Sequence, residues 1–390
     1  MPKISKRLWA WLLAAPGISA AVTAIAQTPA PVEARVLFPP SPFMGSDGLA
    51  HLAYEIQVTN VYDDSGTLKV SDVEVMDERH RRLLHLDAND VAHAFRPAAK
   101  ENGPATLGPG KTGTVFVWVT LPPNALPASL THRIVLADEK NVSSAVDGVP
   151  LTVSPPSSLR LGPPLRGGRW LAHEGPGNAQ SHHWGSLVAV NGSLTIPQRY
   201  AIDFVRIDTD GRAFTPKNTS HGKRLSDWFG FGTPVLAVGK GRVVAARDGQ
   251  ADHEPLTAPA ASDALSLNGL FGNYVVIDLG GGAFAAYAHL RKGSVRVTSG
   301  QQVSLGEMIG ELGESGSSAA PHLHFQVSNA ATFEESQGMP YVFDRLSACG
   351  TEHEAQLFGL GDPWTPSPCH AANGTLPLND TLVEWPVSAL

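Results

Sequence analysis

Short strand-forming runs, separated by turn residues, recur along this 390-residue chain and limit it to a fold built mainly from strands. The chain has 39 glycines, 31 prolines and only 17% charged residues, a composition that favours short strands and many turns over long helices. We find no long amphipathic helix in the pattern. The sequence therefore predicts an all-β protein.

The first 26 residues have the order of a secretory signal peptide. A basic start that includes Lys3 and Arg7 precedes an apolar stretch, residues 8–25, and the small residue Ala26 fits a cleavage site. An uncleaved membrane anchor is the alternative, but the break at Pro16 and Gly17 argues against it. We therefore expect an exported protein, periplasmic or extracellular, whose mature chain has no transmembrane helix.

Net charge and cysteine content indicate which binding partners and which cellular compartment to expect. The formal net charge is -7 and no basic cluster is visible, so nucleic acid is not an expected partner. Cys349 and Cys369 are the only cysteines, and in an oxidising compartment we expect them to form a disulfide. A role as metal ligands is the alternative, but their spacing fits no common zinc-cysteine pattern.

The strand-forming runs divide into two parts. Residues 31–154 predict a β-sandwich of immunoglobulin-like type, without a cluster of catalytic residue types, so a spacer or docking role is expected. Its runs are residues 51–58, 68–75, 114–120 and 132–136. A linker that leads into the next domain is expected at residues 155–184, a second β domain at residues 185–330, and a C-terminal extension with both cysteines at residues 331–390.

Two features indicate local structure in the second domain. Asn191 and Gly192, between two strand-forming runs, predict a hairpin with a type I′ turn. Further on, His322 and His324 are two residues apart in a strand-forming run, so their side chains project to the same face. Neutral imidazole is the commonest protein ligand for zinc, so this pair is a candidate half of a metal site.

The residues around these features resemble a known family. The segments are Gly232–Ala237, Gly241–Ala245, Gly272–Ile277, Tyr287–Leu290 and Gly300–Val327. In the same order, they are similar to motifs of the lysostaphin-like (M23, LytM-type) zinc endopeptidases, which cut peptide bonds in bacterial peptidoglycan. Over residues 185–330 the resemblance implies an M23 β-sheet catalytic domain, a Zn2+ cofactor and peptidoglycan peptides as substrate.

The resemblance implies two zinc ligands, Asp203 and His324. The family's first metal-binding motif is His-x-x-x-Asp, and the matching stretch here begins with Arg199. A guanidinium stays protonated and has no lone pair to offer a metal. A catalytic zinc normally has three protein ligands, so one ligand is missing.

Another histidine could supply this third ligand. If the hairpin ladder continues away from its turn, His182 lies on the same sheet face as Asp203. A bulge of one residue would put His183 there instead, and His221 is a more distant candidate. We take His182 as the tentative third ligand.

The resemblance also implies that His322 and His289 are the catalytic imidazoles. His322 would accept the proton of the attacking water, and His289 would orient that water or stabilise the oxyanion. Two functions stay open. One is a secreted zinc endopeptidase of the cell wall, favoured by the histidines and Asp203 in family order. The other, favoured by Arg199, is a catalytically degenerate M23 domain that binds the wall or activates other wall hydrolases.

Overall fold

The computed structural model describes residues 28–97, 103–215, 221–257, 267–360 and 367–387. The predicted signal peptide, residues 1–26, lies outside these ranges. Strands dominate the described residues, which confirms the all-β prediction. Across the same ranges, no helix combines the length and the apolar character that crossing a membrane requires.

Residues 28–152 form two sheets around one hydrophobic core. Their elements are β1 (Thr28–Pro29), β2 (Val32–Val36), β3 (Phe43–Met44), β4 (Ala50–Asn60), β5 (Leu68–Asp77), β6 (Arg82–Leu86), α1 (Ala88–Ala94), β7 (Phe95–Arg96), β8 (Thr106–Leu107), β9 (Thr112–Leu121), β10 (Ser129–Ala137) and β11 (Ser143–Thr152). One sheet has the order β1-β11-β10-β5-β6, with β8 beside β5, and the other has the order β2-β4-β9-β7, with β3 beside β4. This arrangement agrees with the expected sandwich, and its immunoglobulin-like type stays a prediction.

The elements of the second part run from residue 160 to residue 384. They are β12 (Arg160–Leu161), β13 (Arg169–His173), β14 (Val188–Val190), β15 (Ser193–Thr195), β16 (Ile202–Ile207), a 3-10 turn (Leu225–Asp227), β17 (Pro234–Leu236), β18 (Gly241–Arg247), α2 (Leu267–Phe271), β19 (Asn273–Gly280), β20 (Ala283–Leu290), β21 (Gln302–Val303), β22 (Met308–Glu311), β23 (Leu323–Ser328), β24 (Val342–Phe343), β25 (Ser347–Thr351), α3 (Glu354–Leu357), β26 (His370–Ala371) and β27 (Thr381–Glu384).

Ten of these strands form one antiparallel sheet in the order β21-β18-β19-β20-β23-β16-β13-β27-β25-β26. The strand β13 precedes residue 185, and β25, β26 and β27 follow residue 330. The sheet therefore extends beyond the segment expected to be the M23 domain. In the C-terminal extension, Cys349 of β25 is bonded to Cys369.

The sandwich packs directly on the ten-stranded sheet. Along β4, Leu52, Tyr54 and Ile56 point into the sandwich core, so the alternate residues face the other way. One of these, Ala53, belongs to the hydrophobic cluster of the ten-stranded sheet, together with Phe116 of β9. β4 is therefore covered on both faces, which is why its residues are nearly all buried.

Candidate metal centre

Asp203 of β16 lies at the middle of the candidate site. Its register partners are His324 on β23 and His173 on β13, and residues directly opposite one another in antiparallel strands project to the same face. The carboxylate is buried, and its Oδ1 lies 3.0 Å from Nδ1 of His324. The ring of His173 is directed instead to Asp380, with Nδ1 3.3 Å from a carboxylate oxygen.

The ring of His324 lies between Asp203 and Gln326. Its Nε2 lies 2.9 Å from Oε1 of Gln326, which is two residues further along the same strand face. Both ring nitrogens of His324 thus have a polar partner, the Asp203 carboxylate at Nδ1 and the Gln326 side chain at Nε2. The two partners hold the imidazole with Nδ1 directed at the carboxylate.

Both His182 and His183 lie beside Asp203. His183 is buried, its Nδ1 donates to the backbone carbonyl of Glu174 at 2.9 Å, and its Nε2 is 3.5 Å from Asp203 Oδ1. Among the described residues, that Nε2 has no hydrogen-bond partner. The side chain of His182 is 65% exposed, and its Nε2 is 3.7 Å from the other oxygen, Oδ2. His221 lines a separate cavity.

The path of the chain to these two histidines differs from the expected one. β14 and β15 form the predicted hairpin, but their ladder is only three residues long and does not reach His182. Pro197 has no N–H group with which to extend it. A turn follows Ser181, whose Oγ accepts a hydrogen bond from the backbone N–H of His183 at 3.2 Å. This turn, rather than strand register, determines where His182 and His183 lie.

The catalytic histidines expected from the resemblance lie on the same side of Asp203. The Nδ1 of His322 donates to the carbonyl of Ala320 at 2.7 Å, and its Nε2 is 3.3 Å from Asp203 Oδ1. The Nδ1 of His289 donates to the carbonyl of Ser315 at 2.8 Å. The ring centroids of His289 and His322 are 4.7 Å apart.

A β-bulge directs His289 toward the site. Ala288 and His289 together lie opposite the single residue Tyr274 of β19. Ala288 pairs with His324, so simple alternation would turn the next side chain to the other face of the sheet. The backbone of His289 has a φ of 57°, a left-handed conformation that is uncommon outside glycine and that interrupts this alternation.

The charges in the site are strongly coupled. Burial alone would raise the pKa of Asp203, but the charge of His322 and the hydrogen bonds from His322 and His324 hold this pKa well below the ordinary carboxyl range. Burial alone would lower the pKa of His322, whereas the Asp203 carboxylate raises it to about 9. Burial holds the pKa values of His183 and His289 well below the ordinary imidazole range. Both rings are therefore neutral at pH 7.

The donor atoms fit a bound dication. Oδ1 of Asp203 lies 3.0 Å from Nδ1 of His324 and 3.5 Å from Nε2 of His183. In tetrahedral zinc, ligand bonds of about 2.0–2.1 Å put neighbouring ligand atoms about 3.3 Å apart. The other ring nitrogen of His183 donates to a backbone carbonyl and that of His324 contacts the Gln326 side chain, and such contacts usually orient zinc-ligating histidines. Two imidazoles and one carboxylate also leave a fourth position open, as in catalytic zinc sites.

Arg199 takes no part in this constellation. It is 5% exposed and contacts the carboxylate of Glu55 in the sandwich at two points, Nε to Oε1 at 2.9 Å and Nη2 to Oε2 at 2.7 Å. Glu55 is fully buried. The residue at the position of the missing histidine thus forms an ion pair between the sandwich and the second part of the chain.

A cleft of about 630 Å3 opens over His289 and His322. Its lining includes Glu174, His182 and the segment 317–320. The C-terminal extension adds Glu354, Leu357 and Phe358 to the lining. The groove is therefore built from segments on both sides of the sheet centre and from the extension beyond residue 330.

Three residues that orient these rings were not singled out from the sequence. Gln326 continues the spacing of His322 and His324, so the alternation of the strand contained a signal for it. Glu174 and Ser315 accept hydrogen bonds through backbone carbonyls, which every residue type possesses. No sequence signal could have identified these two.

Comparisons with known proteins agree with this geometry. Residues 227–336 match the model of peptidase family M23. Over 96 residues, the chain is 38% identical to the peptidoglycan DD-endopeptidase ShyA of Vibrio cholerae serotype O1, a match that covers 25% of this chain. The chain spans only 17% of the length of that relative. His289, His322 and His324 lie within the family match, whereas His183, Arg199 and Asp203 precede it.

Solved structures of peptidases also resemble the chain. The catalytic domain of the antimicrobial peptidase lysostaphin from Staphylococcus simulans is 22% identical, with 44% of this chain and 88% of that chain covered and a TM-score of 0.23. A peptidase M23 structure from Pseudomonas aeruginosa is 15% identical, with 75% and 90% covered and a TM-score of 0.25. Scores this low carry no structural argument. The family match therefore shows that residues 227–336 of this chain are similar to peptidase family M23.

Proposed function

We propose that this protein is an exported zinc endopeptidase that hydrolyses peptide bonds of bacterial peptidoglycan, in the periplasm or outside the cell. One observation carries the proposal. Nδ1 of His324 and Nε2 of His183 lie 3.0 and 3.5 Å from the same carboxylate oxygen of Asp203, and the His183 Nε2 is buried without a hydrogen-bond partner among the described residues. A buried lone pair directed at a carboxylate is unfavourable without a cation and favourable with one.

The third ligand in this proposal is His183 rather than His182. The Nε2 of His183 is buried and without a hydrogen-bond partner among the described residues, whereas His182 faces solvent. The nearby carboxylate of Glu174 also contacts His182, with the oxygen 3.3 Å from Nδ1. We therefore expect His182 to contribute less to metal affinity than His183.

A zinc ion bound at these residues would supply Lewis-acid chemistry, polarising the scissile carbonyl and lowering the pKa of water. His322 is the candidate general base, because its Nδ1 is fixed by Ala320 and its Nε2 faces the centre of the site. Its raised pKa is caused by the Asp203 carboxylate, whose charge a ligated dication would neutralise. His322 would then be free to accept a proton near neutral pH.

His289 has a narrower role in this scheme than the resemblance implied. Its Nδ1 proton is donated to Ser315, so the Nε2 of the neutral ring is an acceptor. An acceptor can orient a water molecule or a substrate N–H, whereas oxyanion stabilisation requires a donor. We therefore propose that His289 orients the attacking water.

The substrate class is supported by the cleft and by the relative. A groove of about 630 Å3 that passes over the catalytic histidines has room for a short extended peptide. The curated relative is named a peptidoglycan DD-endopeptidase. The competing function, a degenerate M23 domain, was motivated by Arg199, and it loses its main support if His183 supplies the missing ligand.

Mass spectrometry of muropeptides tests this proposal. Purified peptidoglycan is incubated with the mature chain and zinc, beside the variants Asp203→Ala, His183→Ala and His182→Ala. We expect new peptide-cleavage products with the unmodified chain and with His182→Ala, and none with the other two variants. Absence of products from the unmodified chain would support the degenerate function. Loss of activity in His182→Ala alone would keep the function but reverse the assignment of the ligand.

A further inference from the structure

The carboxylate of Glu55 connects the sandwich to the candidate metal centre. It accepts hydrogen bonds from three groups of the second part of the chain: Nε and Nη2 of Arg199, at 2.9 and 2.7 Å, and Nε1 of Trp184, at 2.7 Å. All three residues are at least 95% buried. Such a carboxylate is held in one geometry, because any movement would leave a buried charge or donor unpaired.

Trp184 connects Glu55 to the turn that carries His183. It directly follows His183, and its ring packs between aromatic residues of the sandwich, 5.6 Å from Phe116 and 5.7 Å from Trp118 between centroids. The Oγ of Ser181 accepts hydrogen bonds from the backbone N–H groups of both His183 and Trp184. The position of the indole therefore fixes the turn that carries the His183 imidazole.

Arg199, the partner of Glu55 in this ion pair, is also close in sequence to the site. Arg199 lies four residues before Asp203, on the segment that leads into β16. Glu55 thus holds the two segments that carry His183 and Asp203. In an isolated second domain, the guanidinium and the indole N–H would both lose this acceptor.

We propose that Glu55 is a positioning residue for the metal site, and that the N-terminal sandwich is therefore required for tight metal binding. The inference rests on the proposed zinc site and adds to it an interdomain dependence. Changes in residues that orient metal ligands typically weaken metal affinity by about 10–100-fold. An effect of this size is expected even though Glu55 touches neither metal nor substrate.

Zinc titration of the full mature chain against a chromogenic chelator tests the inference. The main variant is Trp184→Phe, which removes the indole N–H and part of the ring volume but keeps an aromatic ring and the ion pair. The second variant, Glu55→Gln, keeps the shape and removes the charge. The matched control is Ser46→Ala, which removes another contact between the two parts, the Ser46 Oγ to Thr381 Oγ1 pair at 3.0 Å.

We expect the dissociation constant for zinc to rise about 10–100-fold in Trp184→Phe and Glu55→Gln and to stay unchanged in Ser46→Ala. The visible spectrum of the Co2+-loaded variants should also lose tetrahedral character, which a loss of stability alone would not cause in the folded fraction. If Glu55→Gln does not fold, Trp184→Phe decides. Unchanged zinc affinity and cobalt spectra would overturn the positioning role, whereas failure of the unmodified chain to bind zinc would overturn the proposed function with it.

Discussion

Restoring the M23 motif by Arg199→His is expected to damage this protein rather than improve its metal site. The guanidinium of Arg199 is 5% exposed and contacts both carboxylate oxygens of the fully buried Glu55. An imidazole is shorter and has at most one N–H directed at any one carboxylate oxygen. The substitution therefore leaves Glu55 buried with Trp184 as its main remaining donor.

The expected cost follows from the burial of both partners. Removing one partner of a buried ion pair destabilises a protein by about 3–5 kcal/mol, because the other charge stays buried and uncompensated. A domain has only about 5–15 kcal/mol of stability, so the loss is a large fraction of the total. Replacing both partners by apolar residues leaves no buried charge. We therefore expect Arg199→Met/Glu55→Met to be clearly more stable than Arg199→His.

Urea denaturation followed by tryptophan fluorescence measures the difference, with a chelator in every sample so that bound metal contributes nothing. The matched control is Arg160→His, because Arg160 pairs with Asp344 at the surface, where the two side chains are 57% and 41% exposed. An exposed pair is worth at most about 1 kcal/mol. If Arg199→His unfolds at the same urea concentration as the unmodified chain, or binds zinc more tightly, the structural role given to Arg199 is wrong.

Three further predictions concern other parts of the molecule. Gln326→Leu removes the hydrogen bond that orients the His324 ring and should weaken zinc binding by about 10–100-fold in chelator competition. Burial lowers the pKa of His132 from 6.5 to about 4. Between pH 6.5 and pH 4, this histidine therefore binds more protons in the unfolded chain than in the folded one. The stability contributed by the neutral His132 is fully present above pH 6.5 and is lost as the pH falls toward 4. In urea titrations from pH 6.5 to pH 5, the free energy of unfolding should fall by about 2 kcal/mol more in the unmodified chain than in His132→Gln. Replacing Cys349 and Cys369 by serine opens a crosslink between residues 20 apart and should cost about 3 kcal/mol of unfolding free energy, measured in the same way.

Local patterns in the sequence were sufficient to predict most of the strands. The runs at residues 51–58, 68–75, 114–120 and 132–136 all fall within β4, β5, β9 and β10. The hairpin at Asn191 and Gly192 was predictable because its turn chemistry is encoded in two adjacent residues. The spacing of His322 and His324 was likewise sufficient to predict that both side chains project to the same face, since alternation along a strand is a local property.

The proposed third ligand, His183, could not be predicted from local sequence patterns. Extending the hairpin register to His182 assumed a ladder that ends after three residue pairs. The turn at Ser181 replaces it, and this turn is held from a distance, through Trp184 and Glu55. Glu55 and Trp184 are 129 residues apart in the chain, so no local pattern connects them. β4 also contains the polar residues His51 and Gln57, so nothing in its sequence singled out Glu55 as an interface residue.

Arg199 and the proposed ligand His183 are connected through one buried network, and this has a consequence for related sequences. Arg199 satisfies Glu55, Glu55 holds Trp184, and Trp184 fixes the turn that carries His183. A relative with histidine at the position of Arg199 would have its third ligand there and no cation to pair with a buried Glu55, whose isolated charge would be very costly. We therefore expect Arg199, Glu55 and the His183-Trp184 pair to occur together or to be absent together in related chains. An alignment of homologues measures this. Frequent occurrence of Arg199 without an acidic residue at position 55 would show that the two positions are independent, and the argument for an interdomain metal site would lose its basis.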